Sequence, residues 1–423
     1  MNTLRIINGI ITAVFLLCYS YQFAYIPIVW ILSRKRKKTA VTPQANDFAV
    51  MICARNESEV IADLIRSIFE QSYDKGKITV FVMADNCTDN TAEVAAANGA
   101  VVYERQNKEF VGKGYALEEL RRHIREDYPE GFDGYFVFDA DNVLAHDYIE
   151  RMNETFSEGH DIITSYRNSK NFGDNWVSSG YGLWFLRESR YLNDARSLIG
   201  TSCAVSGTGF MFSRAVSEEI GDWPFHLLTE DIEFSIYHII KGKKIGFCKD
   251  AELFDEQPVK FRQSWRQRMR WARGYFQVFQ KHGKDLIRGM FHGNFSCFDM
   301  SMSIMPAFIL TALSVVSNVV LGVWGALIGD NILIAVQSIG EFIFNLYLTA
   351  FAVGLITTIT EWKHIRTTTF KKILYVITFP LFMFTYLPIA ISAFFGKIEW
   401  KPIEHHVTAS DAGLSSTETV NKK

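Results

Sequence analysis

Apolar and polar positions follow three different rhythms along the chain. From Ile6 to Leu32 almost every position is apolar and none is charged, a run long enough to cross a bilayer as a helix. The basic run Arg34 to Lys38 follows it. Because the basic residues lie behind the apolar run, the pattern is that of a retained anchor rather than a cleaved leader. The positive-inside rule then places the N-terminus outside and the rest of the chain in the cytoplasm. From Asp47 to about Asp255 the rhythm changes to short apolar runs, FAVMICA, ITVFVMAD, AVVYE, YFVFDAD and DIITSY, separated by helical patterns such as SEVIADLIRSIFEQ and TAEVAAANG. Alternating strands and helices predict an α/β domain with a mostly parallel sheet covered on both faces. Ligands of such sheets sit beyond the carboxyl ends of the strands, so polar residues there are the ones that matter.

The third rhythm begins at Phe261 with FRQSWRQRMRWARGYFQ, a basic amphipathic pattern, and continues into apolar runs at Ile304–Leu327, Ile332–Ile359 and Ile373–Phe395. The turn Ile328–Asn331 carries no basic residue, whereas Glu361–Lys372 carries Lys363, Arg366, Lys371 and Lys372, so the pair reads as out and back. Pro380 and Pro388 interrupt the last run, which fits either a kinked span or an interfacial segment that leaves the tail inside. The second is the expectation. The resulting divisions are an anchor with its basic flank at 1–38, a catalytic domain at 45–255, amphipathic interface helices at 256–300, membrane or interfacial helices at 301–396, and a tail at 397–423.

Composition narrows the classes. The net charge of −2 over 423 residues argues against a nucleic-acid-binding surface. Cys18, Cys53, Cys87, Cys203, Cys248 and Cys297 are scattered with no CxxC pair, as expected of free thiols in a reducing compartment. A multi-pass protein of the cell membrane with a cytoplasmic catalytic domain satisfies all of these.

Several acids stand where strands end or helices open: Asp85, Asp139 and Asp141 as Asp-Ala-Asp, and Glu230 and Asp231 as Thr-Glu-Asp. Singly, each fits a helix cap or turn as well as a site. An Asp-x-Asp at a strand end also offers hard oxygen ligands to Mg²⁺ or Mn²⁺. Gln267, Arg270, Trp271 and Gly274 recur at helical spacing on one face. Gly112-Lys113-Gly114 lacks the spacing of a phosphate loop, which excludes that ATPase signature.

Taken in order, Ala54-Arg55-Asn56-Glu57, Asp85, Gly112-Lys113-Gly114, Asp139-Ala140-Asp141, Thr229-Glu230-Asp231 and Gln267-x-x-Arg270-Trp271 resemble the motif series of family 2 glycosyltransferases. The likeness extends to the membrane-embedded processive synthases of cellulose, hyaluronan, chitin and poly-N-acetylglucosamine. The resemblance implies a glycosyltransferase-A type domain for nucleotide sugars, flanked by transmembrane helices. It implies that Ala54, Arg55, Glu57, Asp85 and Lys113 bind the nucleotide sugar, with Asp139 and Asp141 meeting its diphosphate through a divalent cation. Asp231 is the implied general base, assisted by Glu230, and attack by the acceptor hydroxyl inverts the anomeric centre. Arg270 is implied to pair with the diphosphate, and Gln267, Trp271, Gly207 and Thr208 to face the acceptor. UDP-glucose or UDP-N-acetylglucosamine is the implied donor. The product is then a β-linked polysaccharide moved across the membrane, the alternative being a single transfer to a lipid-linked acceptor.

Outside these motifs, Gln337, Glu341 and Asn345 fall on one face of an apolar span and are candidates to line a polysaccharide channel, or else a hydrogen-bonded helix seam. Arg262, Arg266 and Arg268 are assigned to lipid phosphates or to interdomain packing. Trp400–His405 stands where related synthases carry a segment near the mouth of the site but matches neither of their usual forms. His226, His238, His405 and His406 show no ligand spacing and read as surface or structural histidines. A transporter or receptor with a nucleotide-sensing domain is the remaining class, disfavoured by the complete acidic set.

Overall fold

A computed structural model describes residues 2–35, 41–305, 332–395 and 405–414, with scattered residues of 313–324. The expected span Ile304–Leu327, the turn after it and the Trp400 segment fall largely or wholly outside the described residues. Helix α1 (Asn2–Leu32) precedes the α/β domain. That domain runs β1 (Phe48–Ala54), α2 (Ile61–Phe69), β2 (Ile78–Asp85), α3 (Thr91–Ala97), β3 (Val101–Arg105), α4 (Lys113–Asp127), β4 (Gly134–Asp139), β5 (Val143–Leu144), α5 (Tyr148–Ser157), β6 (Ile162–Ser169) and α6 (Trp176–Arg187). After α6 the backbone widens into a π-helical turn, Glu188–Asn193, and continues as α7 (Asp194–Leu198), β7 (Phe210–Ser213), α8 (Arg214–Ile220), α9 (Glu230–Ile240) and β8 (Gly246–Asp255). The amphipathic stretch forms α10 (Phe261–Phe291), followed by α11 (Phe295–Ile304), α12 (Ile332–Thr360), α13 (Thr369–Phe384) and α14 (Tyr386–Phe395).

The eight strands form one sheet in the order β3-β2-β1-β4-β7-β6-β8-β5. The β3-β2-β1-β4 half is parallel; β7 is antiparallel to both neighbours, and β5 is antiparallel to β8. Alternation decides which side chain goes to which layer. Met51, Phe81 and Val137 join one core, and Val50, Val82 and Phe136 join the other. The strands read as unbroken apolar runs because both faces are covered. The parallel half puts the carboxyl ends of β1, β2 and β4, with Ala54, Asp85 and Asp139, along one edge of the sheet.

Three helical stretches among the described residues are long and apolar enough to cross a membrane, Gly9–Leu32, Ile343–Thr360 and Thr369–Ala393. The last is broken at Thr385 into α13 and α14. Residues 405–414 lie against the α/β domain, so the end of the chain returns to the catalytic side. Two contacts fix α10 between the α/β domain and the apolar helices α13 and α14. Arg268, fully buried, donates from Nη1 to Thr385 Oγ1 at 2.6 Å and sits 4.4 Å from the centroid of the Phe382 ring. Of the two roles anticipated for this arginine, the structure shows packing; Arg262 and Arg266 are exposed. Six residues on, a β-carbon at Gly274 would lie 2.5 Å from Thr229 Cγ2, so only glycine lets α10 press against the entry to α9.

Candidate active site

One cavity of about 940 Å³ opens at the carboxyl ends of the parallel strands and runs into the space between α1, α10, α12, α13 and α14. Ala54, Arg55, Glu57, Asp85, Lys113, Asp139, Asp141, Gly207, Glu230, Asp231, Gln267, Arg270 and Trp271 all line it. Residues separated by more than two hundred positions in sequence therefore share one space. Thr208 does not line it: its hydroxyl accepts from the Asp139 amide at 2.9 Å and so steadies the strand end from behind. Gln337, Glu341 and Asn345 are exposed, with Gln337 bonded to Glu341, and are not among the residues of the cavity wall.

The end that meets the strands is polar and paired. The β2–β3 register sets Asp85 opposite Arg105, and Arg105 Nη1 holds Asp85 Oδ1 at 2.7 Å while its Nε holds Glu119 at 2.8 Å. Burial raises the Asp85 carboxyl against the pull of Arg105. Asn56 and Asn86, each just beyond a strand, have φ of 58° and 54°, the left-handed region that asparagine tolerates better than most residues. Lys113, at the start of α4, pairs with Asp139 Oδ1 and donates to the Gly207 carbonyl at 2.9 Å. A β-carbon at Gly207 would lie 4.0 Å from both Asp139 Oδ2 and Asp231 Oδ2, so the two carboxylates converge on this loop, and its φ of 79° is what calls for glycine.

Glu230 and Asp231 open α9, where the helix N-terminus favours negative charge. The Asp231 carboxylate accepts from the amides of Ile232 and Gly207, but burial outweighs these bonds and raises it. Burial and the charge of Asp231 push Glu230 up to about 7, opposed by Lys113 and Arg270. A raised carboxyl beside the reacting centre is the environment a general base needs near neutral pH.

Asp141 is 5% exposed and accepts the Glu256 amide at 2.9 Å. Beside it stands His405, which is a correction to its reading as a surface or structural residue. Its Nδ1 lies 3.0 Å from Glu57 Oε2 and its Nε2 3.9 Å from Asp141 Oδ2. Burial would lower the imidazole, but Asp141, Glu57 and Glu256 outweigh burial and push it up to about 10. Burial would likewise raise Asp141, and His405 and Lys170 hold it below the usual carboxylate range instead. The following backbone is stitched down: the amides of His406 and Val407 donate to the Glu256 carboxylate, and that of Ala409 to Asp63 Oδ2 at 2.6 Å. Arg167 and Asp255 are a further pair that sequence patterns did not reveal. Arg167 Nε donates to Asp255 at 2.7 Å and Nη1 to the Ser206 carbonyl at 2.8 Å, so the glycine loop is held from below.

The opposite end is less satisfied. Gln267 Oε1 is buried with no hydrogen-bond partner among the described residues. Arg270 makes no hydrogen bond or ion pair there, although its charge acts on Glu230. Trp271 meets Tyr181 edge-on at 5.8 Å. Beyond it the wall includes Ile343, Leu346, Thr349, Val353, Met383 and Leu387, from the candidate membrane helices α12, α13 and α14. The other histidines are structural as read: His238 is fully buried, and His226 stacks on Tyr115.

Comparison with known proteins places this geometry. The model of the family described as "Glycosyltransferase like family 2" matches residues 43–274. Probable glycosyltransferase YdaM of Bacillus subtilis (strain 168) is 25% identical over 280 residues, 59% of this chain and 62% of that one. Poly-beta-1,6-N-acetyl-D-glucosamine synthase of Staphylococcus aureus (strain COL) is 23% identical over 257 residues, 58% of each. The matches thus span about three fifths of these curated relatives. Among solved structures, mannosyltransferase PcManGT from Pyrobaculum calidifontis, in complex with GDP-Man and Mn²⁺, superposes with a TM-score of 0.57 at 16% identity, covering 92% of this chain and 98% of that one. The chain belongs to glycosyltransferase family 2, and its α/β domain has the glycosyltransferase-A type fold.

Proposed function

We propose that this family 2 glycosyltransferase transfers a hexose, with inversion, from a UDP-sugar to an acceptor that reaches Asp231 from the membrane side. The convergence of Asp139 and Asp231 on Gly207, inside a cavity that continues between the apolar helices, carries this reading. The donor's nucleoside is read as lying along the carboxyl ends of β1 and β2, where Asp85 is already neutralised by Arg105. Its diphosphate faces Lys113 and Arg270, a buried cation and an unpaired guanidinium suited to phosphate oxygens. Asp231 takes the proton of the acceptor hydroxyl as that oxygen bonds to the anomeric carbon. The bond from that carbon to the diphosphate breaks, and UDP leaves with the electron pair.

Among the described residues no group of three or more His, Cys, Asp or Glu side chains is placed to hold a metal, so a divalent cation would depend on the donor for most of its ligands. Asp139 and Asp141 would supply carboxylate oxygens to Mg²⁺ or Mn²⁺, with diphosphate oxygens and water completing the set. His405, held as a cation between Glu57 and Asp141, would orient Asp141 rather than serve as a ligand. When bound, the cation offsets the charge on the departing diphosphate.

Two acceptors suit the membrane-side path. A growing β-glycan is supported by the likeness to the staphylococcal synthase and by three candidate spans. A lipid-linked acceptor is favoured by the apolar share of the wall, Leu346, Val353, Met383 and Leu387, which outweighs the hydroxyls of Tyr19, Thr349 and Thr357 beside it, and by the polar trio on α12 lying outside it. We take the lipid-linked acceptor as the better supported. Incubation of the purified protein in native lipid with labelled UDP-sugars, followed by solvent partition and sizing of the product, tests this. A single sugar on an extractable lipid supports it, and a long water-soluble polymer overturns it.

A further inference from the structure

The cavity is lined by arginines in different electrostatic states. Arg167 is neutralised by Asp255, and Arg196 by Asp299, with Nε at 2.6 Å and Nη2 at 2.9 Å. Arg187, the last residue of α6, also lines the cavity but has no carboxylate within ion-pair distance among the described residues. Its Nη2 donates to the amide oxygen of Gln22 on α1 at 2.9 Å, and its guanidinium carbon lies 5.3 Å from the Trp184 ring centroid. The neighbouring Glu188 is hydrogen-bonded by the Ser206 side chain and shares the fields of Arg167 and Arg196. Burial pulls the Arg187 guanidinium down to about 10, with Glu188 opposing. An amide orients a guanidinium but does not neutralise it, and in the half-buried Arg187 the charge of Glu188 acts without an ion pair, so an anion brought to it would be favoured. Immediately after Arg187 the chain makes its π-helical turn, a distortion frequent at functional sites.

The surroundings specify what the missing anion is attached to. Phe15, Phe23 and Ile26 of α1, with Leu346 and Val353 of α12 and Leu387 of α14, line the same cavity and give it a largely apolar surface, interrupted by Tyr19, Thr349 and Thr357. We propose that Arg187 binds the phosphate of an acceptor whose sugar is carried on a long-chain phosphate, the chain lying along the wall between α1, α12 and α14. This rests on the lipid-linked reading of the acceptor. Two cations then serve two phosphates: Arg270 the diphosphate that leaves with the donor's nucleoside, and Arg187 the phosphate that stays with the acceptor. Gln22, bonded to Arg187 from the first membrane helix, positions it.

The full chain in nanodiscs, as wild type, Arg187→Gln and Arg187→Lys, is titrated with a short polyisoprenyl monophosphate, the matching uncharged alcohol, phosphatidylglycerol and UDP, with native mass spectrometry as the readout. Wild type is expected to prefer the phosphate to the alcohol by about tenfold, the scale of one charge-assisted contact. Arg187→Gln should lose that preference, Arg187→Lys should restore part of it, and UDP affinity should be equal in all three, which also reports that the variants are folded. Should Arg187→Gln fail to fold, Gln22→Leu is expected to weaken the preference several-fold by freeing the guanidinium. Retention of the preference in folded Arg187→Gln overturns the assignment of Arg187 while leaving the lipid-linked reading intact. Equal competition by phosphatidylglycerol overturns it as well, since the site then belongs to bulk headgroups. If wild type shows no preference and makes long polymer, the underlying reading of the acceptor fails and takes the proposal with it.

Discussion

The two ends of the cavity solve opposite problems. At the strand end, charge is matched before any ligand arrives: Arg105 with Asp85, Lys113 with Asp139, Arg167 with Asp255, and His405 with Glu57. At the opposite end groups are left without a charge partner among the described residues: Gln267 Oε1 is buried and unbonded, Arg270 is half-buried, and Arg187, also half-buried, is held by an amide alone. A matched site holds its shape at little further cost in ordering, which suits a donor that must be oriented at one carbon. An unmatched site instead gains from whatever ligand completes it, because leaving such groups unpaired is expensive. On the proposed reading, donor geometry is built into the fold and acceptor recognition is completed by binding.

The sharpest way to break this contrast is at the point where the two ends meet. Asp231→Asn should lower transfer by about 10²–10⁴-fold while calorimetry finds UDP binding unchanged; an equal loss of UDP binding would mean that Asp231 belongs to the donor end. Next in size, Arg105→Met leaves Asp85 buried without its counterion and should destabilise the folded protein by roughly 3 kcal/mol, seen as a lower melting temperature together with weakened UDP binding. Gln267→Leu should do the reverse. It should raise the acceptor KM by about tenfold and leave the donor KM and the melting temperature unchanged, because no protein group loses a partner. The smallest effect is electrostatic. Glu230, pushed up to about 7 by burial and Asp231, is protonated below that pH and gains a charge beside the base above it, so the wild-type pH–rate profile should bend near pH 7. Glu230→Gln should remove that bend with only a few-fold change in rate.

A stability control lies away from both ends. Burial lowers His238 to about 4, and neither ring nitrogen has a hydrogen-bond partner among the described residues. Because its folded value lies below its unfolded one, near 6.5, its contribution is complete above pH 6.5 and is lost as pH falls towards 4. Denaturant titration of His238→Phe should show a flatter dependence over that window.

Much of the strand end was legible in the sequence, and the reason is local. FAVMICA and ITVFVMAD are β1 and β2 to the residue, since a strand buried on both faces announces itself as an apolar run. The acids that follow such runs stand at strand ends by construction. Arg105 was missed because its role depends on register: it faces Asp85 only once β3 lies parallel to β2. Reading the polar ends of adjacent parallel strands as pairs would have found it. His405 was missed because no spacing connects it to Glu57, 348 positions away. The polar trio on α12 shows a complementary limit, since helical periodicity states that three residues share a face and not which way that face is turned, and here it lies off the described cavity wall. Arg187 left no mark, because a single arginine at the end of an aromatic helix looks like any C-terminal cap.

The grip of α10 has a further meaning. Arg268 fastens the helix to Thr385, and Gly274 seats it against Thr229, the residue before Glu230; six residues of helix make that interval roughly 9 Å. The helix is thus a fixed spacer between Thr385 and the start of α9. On the lipid-linked reading proposed above, an acceptor would have to present its hydroxyl at the height that spacer sets, and one carrying a sugar too many or too few would hold the wrong atom there, so that the backbone itself would serve as a ruler.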